Sequence, residues 1–406
     1  MRVLVIGTGP AGITAVETFR AHDRESPVTM VSAEPFPPYS PPAMAERFLS
    51  GRAAPLYWKG EDVAARLGAT ELRGARVAGI DPGARRVMMG DGRALAYDRL
   101  VLATGARLHA PVEGADLPGV HDFKSLRAAS ALVDRIQRGE ARTALIVGAG
   151  FIGVEVALLL AGLGAGVSVV EMADRVMPRT LDAETAAIVG AAMEERGIRV
   201  RLGDAVEAFT GSREADGVRL ATGEVLTADL HVAATGVRPN VSYLEGSGIE
   251  VGWGVMVDER LRTNVPEIFA AGDVAEVPDR MTGARWVHAI FPNAVAQGQI
   301  VGANLAGREL PYEGGETMNS LKHLGVPVMA VGGMEGEEVR FGRGGVLRKV
   351  FLAEGRIVGF RLAGDTSGAG FLRWLMLRRL DVARFGPALA DPRFGPGRWA
   401  SSSLFV

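Results

Sequence analysis

The chain of 406 residues contains no cysteine. That excludes disulfides, a thiolate nucleophile and any Cys-ligated zinc or iron–sulfur centre within it. Lysine is nearly absent too: Lys59, Lys124, Lys322 and Lys349 are the only four, and arginine supplies the rest of the 45 basic residues. Net charge is −2, which argues against a nucleic-acid partner. No stretch approaches the ~20 consecutive apolar residues of a membrane span. Met1 leads straight into a core-strand pattern, so no signal peptide and a cytoplasmic location are expected. No metal site is expected. What the chain has in quantity is glycine, 54 residues, and its most informative glycines are clustered.

Residues 1–12 read MRVLVIGTGPAG. Residues 2–6 are a Val/Leu/Ile run with the pattern of a buried parallel strand. Gly7, Gly9 and Gly12 then follow as GxGxxG. The first glycine permits a tight turn, the second lets a pyrophosphate approach the backbone, and the third lets a helix pack on the strand. The helix expected over 11–21 presents its N-terminal N–H groups to phosphates, beside Pro10 and Ala11. A second strand, 28–32, leads to Glu34, an acid placed to accept ribose hydroxyls. The fingerprint then repeats. Residues 144–153 read ALIVGAGFIG, with Gly148, Gly150, Phe151, Ile152 and Gly153. A helix follows to about 163, then a strand at 166–170 ending at Glu171.

Between and after these copies the chain alternates strand and turn. The proline-rich 35–42 segment forms a rigid extended loop, a short helix is expected over 43–49, and Asp91-Gly92 suits a hairpin turn. Two apolar strands end in Gly: 100–105, with Thr104 and Gly105, and 230–236, with Gly236. A third, 266–273, ends in Gly272-Asp273, where a carboxylate could bind a polyol or cap a following helix. Pro292 opens a helix to about 305, carrying Asn293 and Ala294. From 310 onward strand-like pieces at 346–352 and 357–362 precede an amphipathic helix over 369–380.

The motifs GTGPAG with Glu34, LATGA at 102–106, GAGFIGVE at 148–155, ATGVRPN at 234–240 and IFAAGDV at 268–274 resemble, in order and spacing, the pyridine nucleotide–disulfide oxidoreductase superfamily. The resemblance implies an α/β chain with two Rossmann-like dinucleotide-binding domains and a C-terminal α+β interface domain. The FAD domain would be 1–115 plus 245–310, split by an NAD(H) domain at 116–244, with 311–406 as the interface domain. The first glycine loop and Glu34 would hold the ADP half of FAD, and Asp273 its ribityl chain. The helix after Pro292 would aim its N-terminus at the flavin pyrimidine. The second loop and Glu171 would hold NAD(H). EPFPPY at 34–39 is similar to the start of ferredoxin and rubredoxin reductases and of the flavin part of NADH nitrite reductase, and NSLKHLG at 319–325 also resembles the nitrite reductase type. The latter motif is equally similar to the small NADH-coupling flavin subunits of enzymes such as phenylglyoxylate dehydrogenase or tungsten aldehyde oxidoreductase.

The departures are specific. Pro42 stands where relatives of the NADH oxidase and coenzyme A disulfide reductase type carry a redox Cys. Pro41 and Glu46 stand where ferredoxin reductases carry Arg and Lys, so Glu155, the candidate catalytic residue, lacks the lysine that would pair with it. The expected activity is an FAD-dependent NADH oxidoreductase. Its partner would be an electron-transfer protein or an iron–sulfur or metal-containing oxidoreductase subunit. A homodimer and a subunit of a hetero-oligomer both fit. The alternatives are a self-contained NADH oxidase using oxygen and a non-catalytic NADH-sensing flavoprotein module. Residues 339–406 carry twelve Arg plus Lys against four Asp plus Glu, a balance of +8. Arg340, Arg343, Arg348, Lys349, Arg373, Arg378 and Arg379 are expected to form a basic docking face there.

Overall fold

The computed structural model describes residues 1–51, 56–321 and 323–403. Lys322, inside the 319–325 motif, and the last three residues of the basic C-terminal stretch lie outside the described residues. The chain divides into two compact units: Met1–His109 with Lys124–Arg127 and Val237–Glu316, and Ala110–Phe123 with Ala128–Gly236 and Thr317–Val406.

The first unit begins with strand β1 (Val3–Ile6), helix α1 (Pro10–Arg20), and strands β2 (Val28–Val31), β3 (Ala69–Leu72) and β4 (Arg99–Leu102). Every β1 residue is buried, as befits a central parallel strand covered on both faces. Asp91-Gly92 does turn a hairpin, with the Gly92 N–H donating to the Met89 carbonyl.

The second unit repeats the plan. Its strands are β5 (Val120–His121), β6 (Thr143–Val147), β7 (Gly166–Glu171), β8 (Arg199–Leu202) and β9 (Leu230–Ala233). Helix α2 (Phe151–Gly162) follows β6, and α3 (Ala183–Glu194) follows β7. The sheet order is β8-β7-β6-β9-β5, all parallel. Strand β10 (Ile268–Ala270) then returns to the first unit and completes its sheet in the order β10-β4-β1-β2-β3, also all parallel. The two sheets differ in one respect: the strand beyond β4 comes late in the chain, whereas the strand beyond β9 comes early.

Helix α4 (Phe291–Leu305), with Pro292 in its first turn, lies directly on α1. The approach requires glycine, because a Cβ on Gly298 would sit 2.5 Å from the Ala11 carbonyl oxygen, and one on Gly302 would sit 2.4 Å from that of Ala15.

The C-terminal part of the second unit is an antiparallel sheet of β11 (Met318–Leu321), β12 (Val328–Gly332), β13 (Glu337–Arg343), β14 (Val346–Ala353) and β15 (Arg356–Ala363), in the order β11-β12-β15-β14-β13. Helix α5 (Ala369–Leu377) packs on β15. This sheet removes two residues, Arg348 and Lys349, from the expected basic face. Arg348 is 0% exposed, its guanidinium donating to the carbonyls of Asp365 and Ser367. Lys349 is buried among carboxylates, and Arg340 is paired with Glu184. Among the seven expected residues, Arg340, Arg343, Arg378 and Arg379 are exposed and Arg373 is half-buried. The long stems of Arg348 and Lys349 fill apolar space while their heads tie down neighbouring segments.

Candidate functional site

The two glycine loops are built alike, each at the C-terminal end of the central strand of its sheet. A Cβ on Gly7 would meet the Ala103 carbonyl oxygen at 2.0 Å, and one on Gly12 that of Gly7 at 2.0 Å. In the second loop, Gly148 would meet the Ala234 oxygen at 2.7 Å, and Gly153 that of Gly148 at 1.9 Å. The outer glycines are thus demanded by the protein's own packing. The middle ones are not: Gly9 and Gly150 have nothing within 4 Å of a Cβ. They cap α1 and α2 with nearly identical backbones, φ −67° and ψ −175° against φ −68° and ψ −178°, so each opens the start of a helix to something outside the chain. Ile152, beside the second loop, is 47% exposed although strongly apolar.

The acids at the ends of β2 and β7 differ in what they already bind. Glu34 Oε2 accepts the Tyr39 hydroxyl at 2.7 Å, and that hydroxyl accepts the Leu126 N–H at 3.0 Å. Glu34 Oε1 is buried and has no hydrogen-bond partner among the described residues. A buried, unpaired carboxylate oxygen is costly, and a ribose hydroxyl would satisfy it. A pocket of about 280 Å³ lies here, lined by Ala33, Glu34, Arg76, Ser125 and Arg127. Glu171, 8% exposed, accepts the Ala149 N–H at 2.8 Å on one oxygen and the Ala173 N–H at 3.0 Å on the other. Both oxygens keep lone pairs for a diol, and neither can swing away.

Asp273 caps no helix. It is followed by the strand Ala275–Pro278, and its carboxylate accepts Lys124 Nζ at 2.8 Å. Thr104 is committed to packing, its hydroxyl donating to the Asn240 carbonyl at 3.0 Å while Asn240 Nδ2 returns a bond to the Thr104 carbonyl at 2.9 Å. Gly105 and Gly236 occupy left-handed backbone, with φ 65° and φ 142°. Gly272 donates its N–H to Gln297 Oε1 at 2.7 Å. Asn293 clamps residue 316, donating to its carbonyl at 2.8 Å and accepting its N–H at 3.2 Å. Ala294 is buried in α4. Pro42 sits in the turn Pro41–Ala43, and Glu155 is half-buried in α2. Sequence reasoning gave no role to Lys124, Tyr39, Arg76 or Arg127. Tyr39 stood in a quoted motif, but nothing local marked the other three.

Two parallel sheets, each with a glycine loop opening a helix N-terminus and an acid at the next strand's end, define an α/β oxidoreductase of the dinucleotide-binding class, with FAD and NAD(H) as its cofactors. The chain belongs to the pyridine nucleotide-disulphide oxidoreductase family, which it matches over residues 1–298. It is 30% identical to the NADH-dependent phenylglyoxylate dehydrogenase subunit epsilon of Aromatoleum evansii over 94% of this chain and 92% of that one. It is 33% identical to the NADH oxidase of Methanocaldococcus jannaschii over 77% of this chain and 71% of the relative. Its fold superimposes on the crystal structure of the ferredoxin reductase for the CYP199A2 system of Rhodopseudomonas palustris with a TM-score of 0.88, at 27% identity, covering 98% of this chain and 99% of that one. Among the described residues no helix is long and apolar enough to cross a membrane.

Proposed function

We propose that the chain moves electrons between NAD(H) and a separate redox protein or subunit, and that it works in the cytoplasm, where NADH is made and used. The observation that carries the reading is the duplicated glycine loop, open at Gly9 and Gly150, with an acid beside each copy: Glu171 is buried, and Glu34 is half-buried with one buried oxygen that lacks a partner among the described residues. The FAD domain is 1–115 with 245–310, the NAD(H) domain 116–244, and 311–406 an interface domain. Gly7, Gly9, Pro10, Ala11, Gly12 and Glu34 hold the ADP half of FAD, with the Lys124–Asp273 pair beside them. Thr104, Gly105, Gly272, Asn293 and Ala294 shape the remaining backbone of that site. Gly148, Gly150, Phe151, Ile152, Gly153, Glu171 and Gly236 hold NAD(H).

The bound flavin supplies acceptance of hydride from the nicotinamide and onward release of single electrons. The chain's own residues bind and orient. Helix N-termini face the two pyrophosphates, Glu34 and Glu171 fix the two riboses, and the N-terminus of α4 favours negative charge near it. Without cysteine the chain itself offers no dithiol relay, so electrons leave to another molecule. That step is the one in which the named roles of the phenylglyoxylate dehydrogenase subunit and of the ferredoxin reductase agree.

The test is anaerobic mixing of the purified protein with NADH, followed by turnover with an added iron–sulfur protein and, separately, with oxygen. Rapid bleaching of a bound, non-covalent flavin and fast turnover only with the protein acceptor are expected. Oxygen consumption as fast as flavin reduction would make the chain an oxidase. Very slow flavin reduction with a long-lived reduced complex would make it a sensor module.

A further inference from the structure

The loop between β7 and α3 is held at both ends by charge, and its far anchor comes from a different sheet. We propose that Lys349, on β14 of the C-terminal sheet, is a positioning residue for the NAD(H) site, because it pins the end of the loop that begins at Glu171. The inference rests on the reading that Glu171 and the second glycine loop bind the nucleotide.

The path is short. Met177, inside the loop, donates its N–H to the Ala149 carbonyl, in the middle of that glycine loop, at 2.8 Å. Met177 is 2% exposed and has φ 50°, a left-handed conformation that costs a non-glycine residue free energy and persists only where the surroundings impose it. The imposition comes from both sides. Leu181 donates its N–H to the Met177 carbonyl at 2.9 Å, and Arg175 Nε donates to the Leu181 carbonyl at 3.3 Å. The next residue, Asp182, caps α3 by accepting the N–H groups of Glu184 and Thr185. Lys349 Nζ then grips this start of the helix, donating to Asp182 Oδ1 at 2.8 Å and lying 3.0 Å from Glu184 Oε2 and 3.4 Å from Glu338 Oε2.

The Lys349 side chain is 7% exposed and that of Asp182 18%, so this pair is weakly screened by salt. Removing the ammonium would leave Asp182, Glu184 and Glu338 facing one another, with Arg340 on Glu184 at 2.8 Å and the buried Arg361 guanidinium still attracting Asp182. The first turn of α3 would move off the sheet. The loop would then lose the constraint that keeps Met177 left-handed and Ala149 in place.

The experiment uses the FAD-loaded protein and titrates ADP-ribose, which carries only the half of NAD(H) that this loop would meet, by calorimetry. Lys349→Met removes the ammonium. Asp182→Asn keeps a good helix cap but removes the charge that Lys349 grips. Lys349→Arg restores a cation. Coupling through such a network is expected to raise the ADP-ribose Kd roughly three- to tenfold in the first two variants, with partial recovery in Lys349→Arg, whose planar head keeps the charge but not all three contacts, and unchanged FAD content in all three. A merely structural tie would lower Tm and leave Kd within about twofold of the parent; that result overturns the proposal. If Lys349→Met does not fold, Asp182→Asn decides by the same criterion. Glu171→Ala separates the two levels. If it weakens ADP-ribose binding and the Lys349 and Asp182 variants do not, only the positioning role falls. If it leaves binding unchanged, the nucleotide site is elsewhere and both readings fall.

Discussion

The coenzyme preference follows from how firmly Glu171 is held. Its carboxylate is 8% exposed and anchored at both oxygens by backbone N–H groups. A 2′-phosphate on the ribose would approach it to roughly 4 Å, where two unit charges at an effective dielectric of ~20 repel by about 4 kcal/mol. The next basic residue in the chain is already engaged. Arg175 spends its guanidinium on the carbonyls of Leu181 and Pro178 and on Asp174 at 2.8 Å. Even if two-thirds of the repulsion is lost to reorientation of the phosphate, about 1.4 kcal/mol remains, which is a tenfold preference for NADH. The assay is anaerobic stopped-flow reduction of the bound flavin by each nucleotide, compared as second-order rate constants. Glu171→Ala should narrow the ratio from both sides. NADPH gains by losing the repulsion, while NADH loses the carboxylate that accepts its ribose hydroxyls, a charged hydrogen bond of about 1.5–3 kcal/mol. Equal rate constants in the parent protein, or an unchanged ratio in Glu171→Ala, would refute the reasoning.

Glu34→Ala should cost FAD affinity about tenfold or more, since a hydrogen bond to a charged group contributes about 1.5–3 kcal/mol; dialysis followed by flavin fluorescence measures it, and full FAD retention would contradict the assignment. Thiol-modifying reagents should leave NADH-dependent activity unchanged, and coenzyme A disulfide or glutathione disulfide should not be reduced; robust turnover of either would require chemistry this cysteine-free chain lacks. Burial lowers the affinity of His231 and His121 for protons, so both are held neutral in the folded state. Their contribution to stability is full above the unfolded histidine value of about 6.5 and declines as pH falls below it. Urea midpoints measured from pH 8 to pH 5 should drop at the acid end, and His231→Gln should flatten the drop. Arg378→Glu with Arg379→Glu should slow electron transfer to an acidic iron–sulfur partner and weaken its dependence on ionic strength; a rate insensitive to both salt and charge reversal, with normal flavin reduction, would move the partner to another surface.

The features legible in the sequence are those whose cause lies within a dozen residues. A parallel central strand must be apolar on both faces, so β1 and β6 announce themselves. A turn that brings backbone to within 2.0 Å of where a Cβ would be can only be glycine. The acid at the end of the next strand is placed by the same local geometry. The expected helix over 11–21 is Pro10–Arg20, and that expected from Pro292 is Phe291–Leu305. The long amphipathic helix ends sooner than its pattern, at Leu377, because Arg379 takes a left-handed turn at φ 51°.

What the sequence hid are pairings of distant charges. Lys124 and Asp273 are 149 residues apart, and Lys349 and Asp182 are 167 apart. Nothing in either neighbourhood marks a lysine as buried, since the default place of a charge is the surface. Counting charges therefore assigned Arg348 and Lys349 to a basic face although the fold buries them, as it does the nearby Arg361. The scarcity of lysine was itself a signal. In a chain that uses arginine for nearly all its positive charge, two of four lysines stand at Asp273 and at the start of α3. A compact ammonium can be surrounded by carboxylates from several directions, as Lys349 is by Asp182, Glu184 and Glu338, where a planar guanidinium would need its partners in one plane.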